Sequence, residues 1–290
     1  MFARVLRGRF LEGRVGKFQS KEVSMETALA PLTLHRPQPL EAIAAAGAAG
    51  FDLSGVQFRV YGQPASPLLY DPEFVVATTR ALAASSISVL EVSNVVLEED
   101  FLLEEARAFA TFAAAVGARV LQVVGWDDVV DRAVENLAFV ADIAADVGLE
   151  VVVEFMPYSQ TKTLADALHL VTEIDRSNVS LILDSLHLFR SGGTVADVAA
   201  VDSRYFGVIQ LSDAPSRAPD FENLRPESIG NRLVPGTGEL PLRELLGVLP
   251  DNLPVSLEVP CMAVAGLPHV DQAGYVLDGF RRFLAEAPPR

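Results

Sequence analysis

The chain has 290 residues, half of them hydrophobic, which is ample material for one large α/β domain or two small ones. Its formal net charge of -15, from 38 acidic and 23 basic residues, excludes a nucleic-acid or anionic-membrane partner, because these are bound by clustered Lys and Arg. The single cysteine, Cys261, excludes an internal disulfide and a cysteine-based zinc site. No apolar run approaches the about 18 residues that span a bilayer, so we expect a cytoplasmic protein.

Residues 1–24 differ from the rest of the chain in charge. They hold six basic and two acidic residues and no continuous apolar stretch, so they do not form a secretory signal. We interpret them as a flexible N-terminal extension. Residues 25–290 contain no Pro/Ser-rich linker, which predicts a single domain.

From Thr27 onward, short aliphatic runs alternate with longer stretches of helical periodicity. The aliphatic runs predict eight strands, at 29–34, 51–58, 87–93, 119–125, 150–155, 179–184, 206–212 and 255–259. Strands that are apolar throughout are covered on both faces, which is typical of parallel β/α folds. Eight strand–helix repeats predict an α/β fold of the (β/α)8 TIM barrel type, with helices ending at Gly50, Gly117 and Gly148. An open doubly wound sheet is the alternative, but no strand runs into a G-x-G-x-x-G turn.

Oxygen-bearing side chains end four successive predicted strands. The runs VVVE, LILD, GVIQ and VSLE end in Glu154, Asp184, Gln210 and Glu258. Because the carboxyl ends of barrel strands meet at one rim, these four side chains can face one point. Three carboxylates there would repel one another unless a cation neutralises them. The pattern predicts one divalent metal ion, Mn²⁺ or Mg²⁺ in preference to Co²⁺ or Zn²⁺. A helix N-cap is the alternative role for Asp184.

Five motifs carry a resemblance to a known family: EF at 154, LDSLH at 183–187, QLSD at 210–213, PGTGE at 235–239 and LEVP at 257–260. With them the chain resembles the sugar phosphate isomerase/epimerase family, the xylose-isomerase-like TIM barrels, over about residues 26–288. The resemblance implies that Glu154, Asp184, Gln210 and Glu258 bind the metal and that the two glutamates also transfer a proton. It implies that His187 hydrogen-bonds a substrate oxygen. Glutamine at 210 is similar to the hydroxypyruvate isomerase and 3-dehydroshikimate dehydratase branches.

The loop after the seventh predicted strand is longer than in the proteins that it resembles. QLSDAPSR places Arg217 seven residues after Gln210, which is similar to hydroxypyruvate isomerases and implies that Arg217 binds substrate. Those proteins run almost directly from the arginine to PGTGE, whereas here residues 218–234 intervene. This insertion carries Arg225 and Arg232, and it either reshapes the pocket or covers it.

Together, the residues and the resemblance predict a metal-dependent isomerase or epimerase of a sugar, sugar phosphate or related hydroxycarbonyl compound. The resemblance implies that a glutamate removes the proton next to the carbonyl and that the metal stabilises the enediolate. A dehydratase of the 3-dehydroshikimate or keto-inositol type is the alternative, because the same proton loss leads to elimination when a β-hydroxyl is present. The expected partner is a small sugar, polyol or keto acid. The oligomeric state stays open, a homo-oligomer included.

Four further residues lie at the ends of earlier predicted strands and are expected at most to line the pocket: His35, Arg59, Glu91 and Trp126. His169 and His269 fall in helical patterns, where no ligand is expected. The PGTGE turn is expected to shape the loop before the next helix.

Overall fold

Eight parallel strands make up the centre of the molecule, for which a computed structural model describes residues 25–286. The strands are β1 (Thr27–Leu29), β2 (Leu53–Gln57), β3 (Ser88–Leu97), β4 (Val120–Gly125), β5 (Glu150–Glu154), β6 (Val179–Asp184), β7 (Phe206–Leu211) and β8 (Val255–Leu257). Each strand pairs in parallel with the next, and β8 pairs with β1, which closes the barrel. The (β/α)8 TIM barrel predicted from the sequence is confirmed.

Helices connect the strands and cover the outside of the barrel. They are α1 (Pro39–Ala49), α2 (Pro72–Ala83), α3 (Leu103–Ala115), α4 (Val130–Asp146), α5 (Leu164–Glu173), α6 (Ser185–Arg190), α7 (Val195–Ala199), α8 (Phe221–Gly230), α9 (Leu242–Val248) and α10 (His269–Ala285). Gly50, Gly117 and Gly148 follow α1, α3 and α4 with φ of 89°, 67° and 74°. Glycine adopts this left-handed conformation with little strain, so these residues end their helices as the sequence predicted.

The strands are buried on both faces. Every residue of β4 and β6 is buried, because helices cover the outer face and the opposite strands cover the inner one. Inside the barrel, one apolar cluster takes a side chain from each of seven strands: Ala28, Leu53, Leu90, Val120, Val152, Ile182 and Val208. Val152, Ile182 and Val208 lie two residues before Glu154, Asp184 and Gln210. Since side chains alternate along a strand, these polar residues share the inward face with the apolar ones.

The structure differs from the sequence prediction at the first strand and in two loops. The first strand ends at Leu29 and does not occupy 29–34. Pro31 cannot donate a ladder hydrogen bond, and it begins a 3-10 turn at Pro31–Thr33. Two helices were not predicted: α6, which follows β6 directly, and α8, which lies in the 218–234 insertion.

Residues 1–24, predicted to be a flexible extension, lie outside the described residues, so that interpretation and the single-domain boundary stay predictions. Among the helices within 25–286, none combines the length and the hydropathy that crossing a membrane requires.

Candidate metal centre

Glu154, Asp184, Gln210 and Glu258 lie together at the carboxyl-terminal end of the barrel. Glu154 and Asp184 are the last residues of β5 and β6, Gln210 pairs in register with Asp184, and Glu258 follows β8 by one residue. None of the four is more than 7% exposed. The four side chains that were predicted from the strand ends therefore lie at the same end of the barrel.

His187 lies beside the carboxylates, at the first turn of α6. Its backbone N–H donates to Asp184 Oδ1 at 3.0 Å, so Asp184 caps this helix. The imidazole Nε2 lies 3.6 Å from Glu154 Oε1 and 4.0 Å from Asp184 Oδ2. One potential ligand atom from each of these three residues lies within 4.8 Å of the others. Asp184 thus serves as an N-cap through one oxygen and belongs to the polar cluster through the other.

Arg232, from the insertion, places a guanidinium among the carboxylates. The residue is 1% exposed. Its Nη1 donates to Asp184 Oδ2 at 2.5 Å and to Ser212 Oγ at 3.2 Å, and its Nε donates to the carbonyl of Ser228 at 2.8 Å. Its Nη2 lies 2.6 Å from Glu258 Oε2. A buried guanidinium is stable only with such partners, so Arg232 is fixed between two of the predicted metal ligands.

Arg217, the arginine expected to bind substrate, does not reach this cluster. It is exposed in the loop after β7 and does not line the cavity above the cluster. The physical reason is the path of the insertion: the chain leaves the rim after Asp213, forms α8, and returns with Arg232. Arg217, which the spacing of seven residues from Gln210 indicated as a substrate ligand, therefore lies in the solvent-exposed part of the loop.

Gln122 is a site residue that the sequence analysis missed. It lies in the middle of β4, is 4% exposed, and donates through Nε2 to Glu154 Oε2 at 2.7 Å. This bond fixes one oxygen of Glu154 and leaves Oε1 facing His187. The sequence feature that could have indicated Gln122 is its polar side chain inside the aliphatic run VLQVVG. Gln122 lies two residues before Val124, and Val124 pairs in register with Glu154.

Burial and mutual repulsion shift the pKa values of the cluster. Burial, then the charges of Glu258 and Asp184, raise the pKa of Glu154 well above its usual range. Burial raises the pKa of Glu258 to about 8, although Arg232 lowers it. Burial also acts to raise the pKa of Asp184, but the charge of Arg232 and hydrogen bonds to the carboxylate outweigh it, and the pKa falls. Burial lowers the pKa of His187 to about 4, so the imidazole is neutral at pH 7.

These residues fit a divalent cation. Gln210 gives the clearest indication, because both of its amide atoms are buried and neither has a hydrogen-bond partner within residues 25–286. An unpaired buried polar group costs about 1–3 kcal/mol. Its carbonyl oxygen, next to carboxylates, is the kind of ligand that Mg²⁺ and Mn²⁺ take, and the nearby nitrogen of His187 also suits Zn²⁺ or Co²⁺. The raised pKa values of Glu154 and Glu258 agree, since a bound cation favours ionised carboxylates.

A cavity opens above the cluster, and its lining includes Glu154, Glu258, Gln122, His187 and Arg232. One wall is aromatic. The rings of Tyr61 and Trp126 stack with centroids 3.6 Å apart, Tyr158 follows Trp126 at 6.3 Å, and its ring meets His187 edge-on at 5.6 Å. Such a cavity suits a small polar molecule that has one apolar face.

Helix α8 supplies another part of the cavity wall, and side-chain contacts hold it there. Glu227 forms a bidentate ion pair with the buried Arg190, at 2.7 and 2.8 Å. The hydroxyls of Ser228 and Tyr158 hydrogen-bond at 2.7 Å. Arg225, Ser228 and Ile229 all line the cavity. The insertion therefore reshapes the pocket, which was one of the two outcomes that the sequence left open.

The PGTGE turn and the QLSD motif form one structural unit around Asp213. Its carboxylate accepts four backbone N–H groups, at 2.8–3.0 Å, from Ala214, Gly236, Gly238 and Leu240. Asp213 also exchanges two backbone hydrogen bonds of 2.8 Å with Leu233, which join the chain shortly before the insertion to the end of the insertion. A Cβ at Gly238 would lie 2.4 Å from Asp213 Oδ1, so only glycine fits there. The motif has the structural role that was expected of it.

The weaker candidates lie in different places. Trp126 lines the cavity, as expected. Glu91 is fully buried in the barrel, where its carboxylate accepts from Ser256 Oγ at 3.3 Å and burial raises its pKa to about 7. Arg59 forms ion pairs with Glu98 and Glu105. Neither Arg59 nor His35 lines the cavity.

Fold and site together define an enzyme-like barrel with its polar cluster at the strand ends. The family model described as xylose isomerase-like TIM barrel matches residues 40–284, so the chain belongs to that family. Among curated proteins, the chain is similar to an inosose isomerase of Bacillus licheniformis. The identity is 30% over 127 residues, which are 43% of this chain and 44% of that protein. The chain spans less than half the length of the curated relatives that it matches.

Solved structures show the same fold at low sequence identity. The IolI protein with a binding zinc atom has a TM-score of 0.78 and 16% identity, covering 92% of this chain and 100% of that chain. The probable 3-DHS dehydratase AsbF of Bacillus anthracis has a TM-score of 0.70 and 15% identity, covering 89% and 99%. At these identities, the likeness establishes the barrel alone.

Proposed function

We propose that this protein is a divalent-metal-dependent isomerase or epimerase of a small sugar, polyol or related hydroxycarbonyl compound. The proposal rests on one observation: three carboxylates, from Glu154, Asp184 and Glu258, gather at the strand ends with a neutral His187 and with Gln210, whose amide has no hydrogen-bond partner among residues 25–286. The zinc bound to the IolI protein and the inosose isomerase relatives support the same class.

In this proposal the two glutamates exchange one proton with a carbon of the substrate. Glu154, Asp184, Gln210 and Glu258 would hold the divalent cation, which when bound polarises the carbonyl group. One glutamate takes the proton from the carbon next to the carbonyl. In an epimerisation, a glutamate returns a proton to the opposite face of that carbon. In an isomerisation, a glutamate returns it to the former carbonyl carbon, and a proton passes from the adjacent hydroxyl to the carbonyl oxygen. A glutamate can take a proton only in its ionised form, and a bound cation would favour that form of both glutamates, whose pKa values burial raises in its absence.

The two glutamates have different neighbours, which suit them to different roles. Gln122 holds Oε2 of Glu154, so Oε1 is the oxygen that can take a proton. Arg232 lies against Glu258 and stabilises negative charge that develops on nearby substrate oxygens. His187, neutral and buried, can donate one N–H to the same oxygens.

Solvent exchange tests the proposal directly. The protein is reconstituted with Mg²⁺, Mn²⁺, Co²⁺ or Zn²⁺ and incubated in D₂O with an inosose or D-allulose, and deuterium at carbon is followed by NMR. We expect exchange by the wild-type protein and a loss of about 10²–10⁴-fold in Glu154→Gln and in Glu258→Gln. Glu239→Gln is the matched control, because Glu239 accepts from Ser216 away from the cavity.

Two results would count against the proposal. Elemental analysis that finds no divalent metal after reconstitution would remove the cation from it. Conversion of 3-dehydroshikimate to an ultraviolet-absorbing aromatic product, with no isomerisation of the other compounds, would assign the protein to the dehydratases.

A further inference from the structure

We propose that Arg225 forms a subsite for an anionic group of the substrate, a carboxylate or a phosphate, at the mouth of the cavity. The inference rests on the proposed function, because it concerns the end of the substrate away from the reacting carbons. It names a substrate class: a compact hydroxycarbonyl compound with one negative charge at the end opposite the metal centre.

The first observation is the position of Arg225. Helix α8 carries it, and its side chain lines the cavity together with Glu154, His187 and Glu258. Its Nη2 approaches the carbonyl oxygen of Tyr61 at 3.5 Å, across the cavity mouth. A guanidinium has five N–H donors, so most of those on Arg225 stay available to a ligand.

The second observation is charge. In a chain with 38 acidic and 23 basic residues, no carboxylate of residues 25–286 lies within ion-pair distance of Arg225. The other arginine of the cavity, Arg232, is tied to Asp184 and Glu258. The two cavity arginines therefore have different roles. Arg232 balances the carboxylates, whereas Arg225 offers an uncompensated positive charge with the fork geometry that carboxylates and phosphates fit.

The third observation is separation. Tyr61, which Arg225 approaches, is linked to His187 by successive ring contacts through Trp126 and Tyr158. An anion at Arg225 would therefore lie at the Tyr61 end of the aromatic wall, and the reacting carbons at its His187 end. This distribution suits a substrate whose ring or short chain lies along the wall, with its carbonyl at the carboxylate cluster and its charge at the mouth.

The acidic residues near the cavity mouth determine how strongly anion binding depends on Arg225. Five acidic residues lie behind the Tyr61–Trp126 stack: Glu98, Glu99, Asp100, Asp127 and Asp128. Arginines outside the cavity pair with Glu98, Asp127 and Asp128, and Glu99 and Asp100 are exposed. They repel an anion at low salt, so anion binding depends on direct contact with Arg225. Removal of that one charge should therefore abolish the preference for anions.

The single tryptophan of the chain gives a readout that needs no turnover. Trp126 stacks on Tyr61 and lines the cavity, so its fluorescence reports on this site alone. In the presence of Mg²⁺, the protein is titrated with two matched pairs: shikimate against methyl shikimate, and glycerol 3-phosphate against glycerol. Shikimate differs from its methyl ester mainly in one negative charge, and glycerol 3-phosphate differs from glycerol in a phosphate group that carries a charge of about -1.5 to -2 at pH 7. The variants are Arg225→Gln and, as control, Arg80→Gln, which removes an exposed arginine of α2 outside the cavity.

We expect the anion of at least one pair to bind about 10–100-fold more tightly than its neutral partner in the wild-type protein and in Arg80→Gln. In Arg225→Gln the difference should fall below about twofold, while the affinity for the neutral partner stays within threefold. A difference in affinity within the shikimate pair indicates a carboxylate subsite, and a difference within the glycerol pair indicates a phosphate subsite. Equal affinities within both pairs in the wild-type protein, or a parallel loss for anion and neutral molecule in Arg225→Gln, would overturn the inference. Mg²⁺ binding and deuterium exchange by the wild-type protein test the proposed function separately.

Discussion

Replacing Arg232 with methionine removes the guanidinium from between two buried carboxylates and keeps most of the apolar volume. The variant loses hydrogen bonds to Asp184, Ser212 and Ser228 and the 2.6 Å ion pair with Glu258. Loss of one partner from a buried ion pair costs about 3–5 kcal/mol, because the other charge is left uncompensated. Glu258 can take up a proton, since burial raises its pKa to about 8, so we expect the lower end, about 3 kcal/mol, in metal-free protein at pH 7.

A divalent cation should restore much of this loss, because it supplies positive charge to the same carboxylates. Urea unfolding of the wild type and Arg232→Met, each in EDTA and in excess Mg²⁺, measures both effects through the midpoints at an unchanged m-value. With Mg²⁺ the difference between the two proteins should fall to about 1 kcal/mol or less. A loss of the same size with and without Mg²⁺ would refute the idea that guanidinium and metal share these carboxylates.

Three more outcomes follow from the site. Gln210→Leu should weaken Mg²⁺ binding, measured by calorimetry, at least about 10-fold. It should also stabilise the metal-free protein by about 1 kcal/mol, because it removes a buried amide that has no hydrogen-bond partner among residues 25–286. An unchanged Mg²⁺ affinity would contradict the ligand role of Gln210. The pKa of Glu258 is raised from 4.5 to about 8 on folding, so its protonated form stabilises the folded state below pH 4.5, and this contribution is lost as the pH rises to 8. The urea midpoint in EDTA should therefore fall between pH 6 and pH 8.5, and excess Mg²⁺ should flatten that slope. Arg217→Gln should change kcat/KM by less than twofold, since Arg217 is exposed outside the cavity, whereas a larger loss would restore the role that the motif implied.

The barrel was predictable because its signals are local. Most of the buried strands are short, largely aliphatic runs, the neighbouring helices have their own period, and α1, α3 and α4 are followed by a glycine in the left-handed conformation. Prediction was wrong where one residue outweighs the pattern, as with Pro31, which ends the first strand early. It also missed α8, which contains Pro226 and depends on the tertiary ion pair between Glu227 and Arg190.

The site was predictable to the extent that it depends on strand ends. Glu154, Asp184, Gln210 and Glu258 each end an aliphatic run, and the barrel alone brings them together. Arg232 was different, since it lies 22 residues after Gln210 at the end of the insertion, and only the return path of the chain brings it to the cluster. No periodicity in the sequence encodes that path.

The two backbone hydrogen bonds between Asp213 and Leu233 make the inserted segment a closed loop that departs from the scaffold and rejoins it at one spot. Lengthening or replacing such a loop adds little closure entropy and transmits little strain to the strands beneath. Under the proposed function, the loop residues that face the substrate can thus diversify, during evolution or by grafting, while Arg232 at the end of the loop and the strand-end residues that it contacts stay as they are.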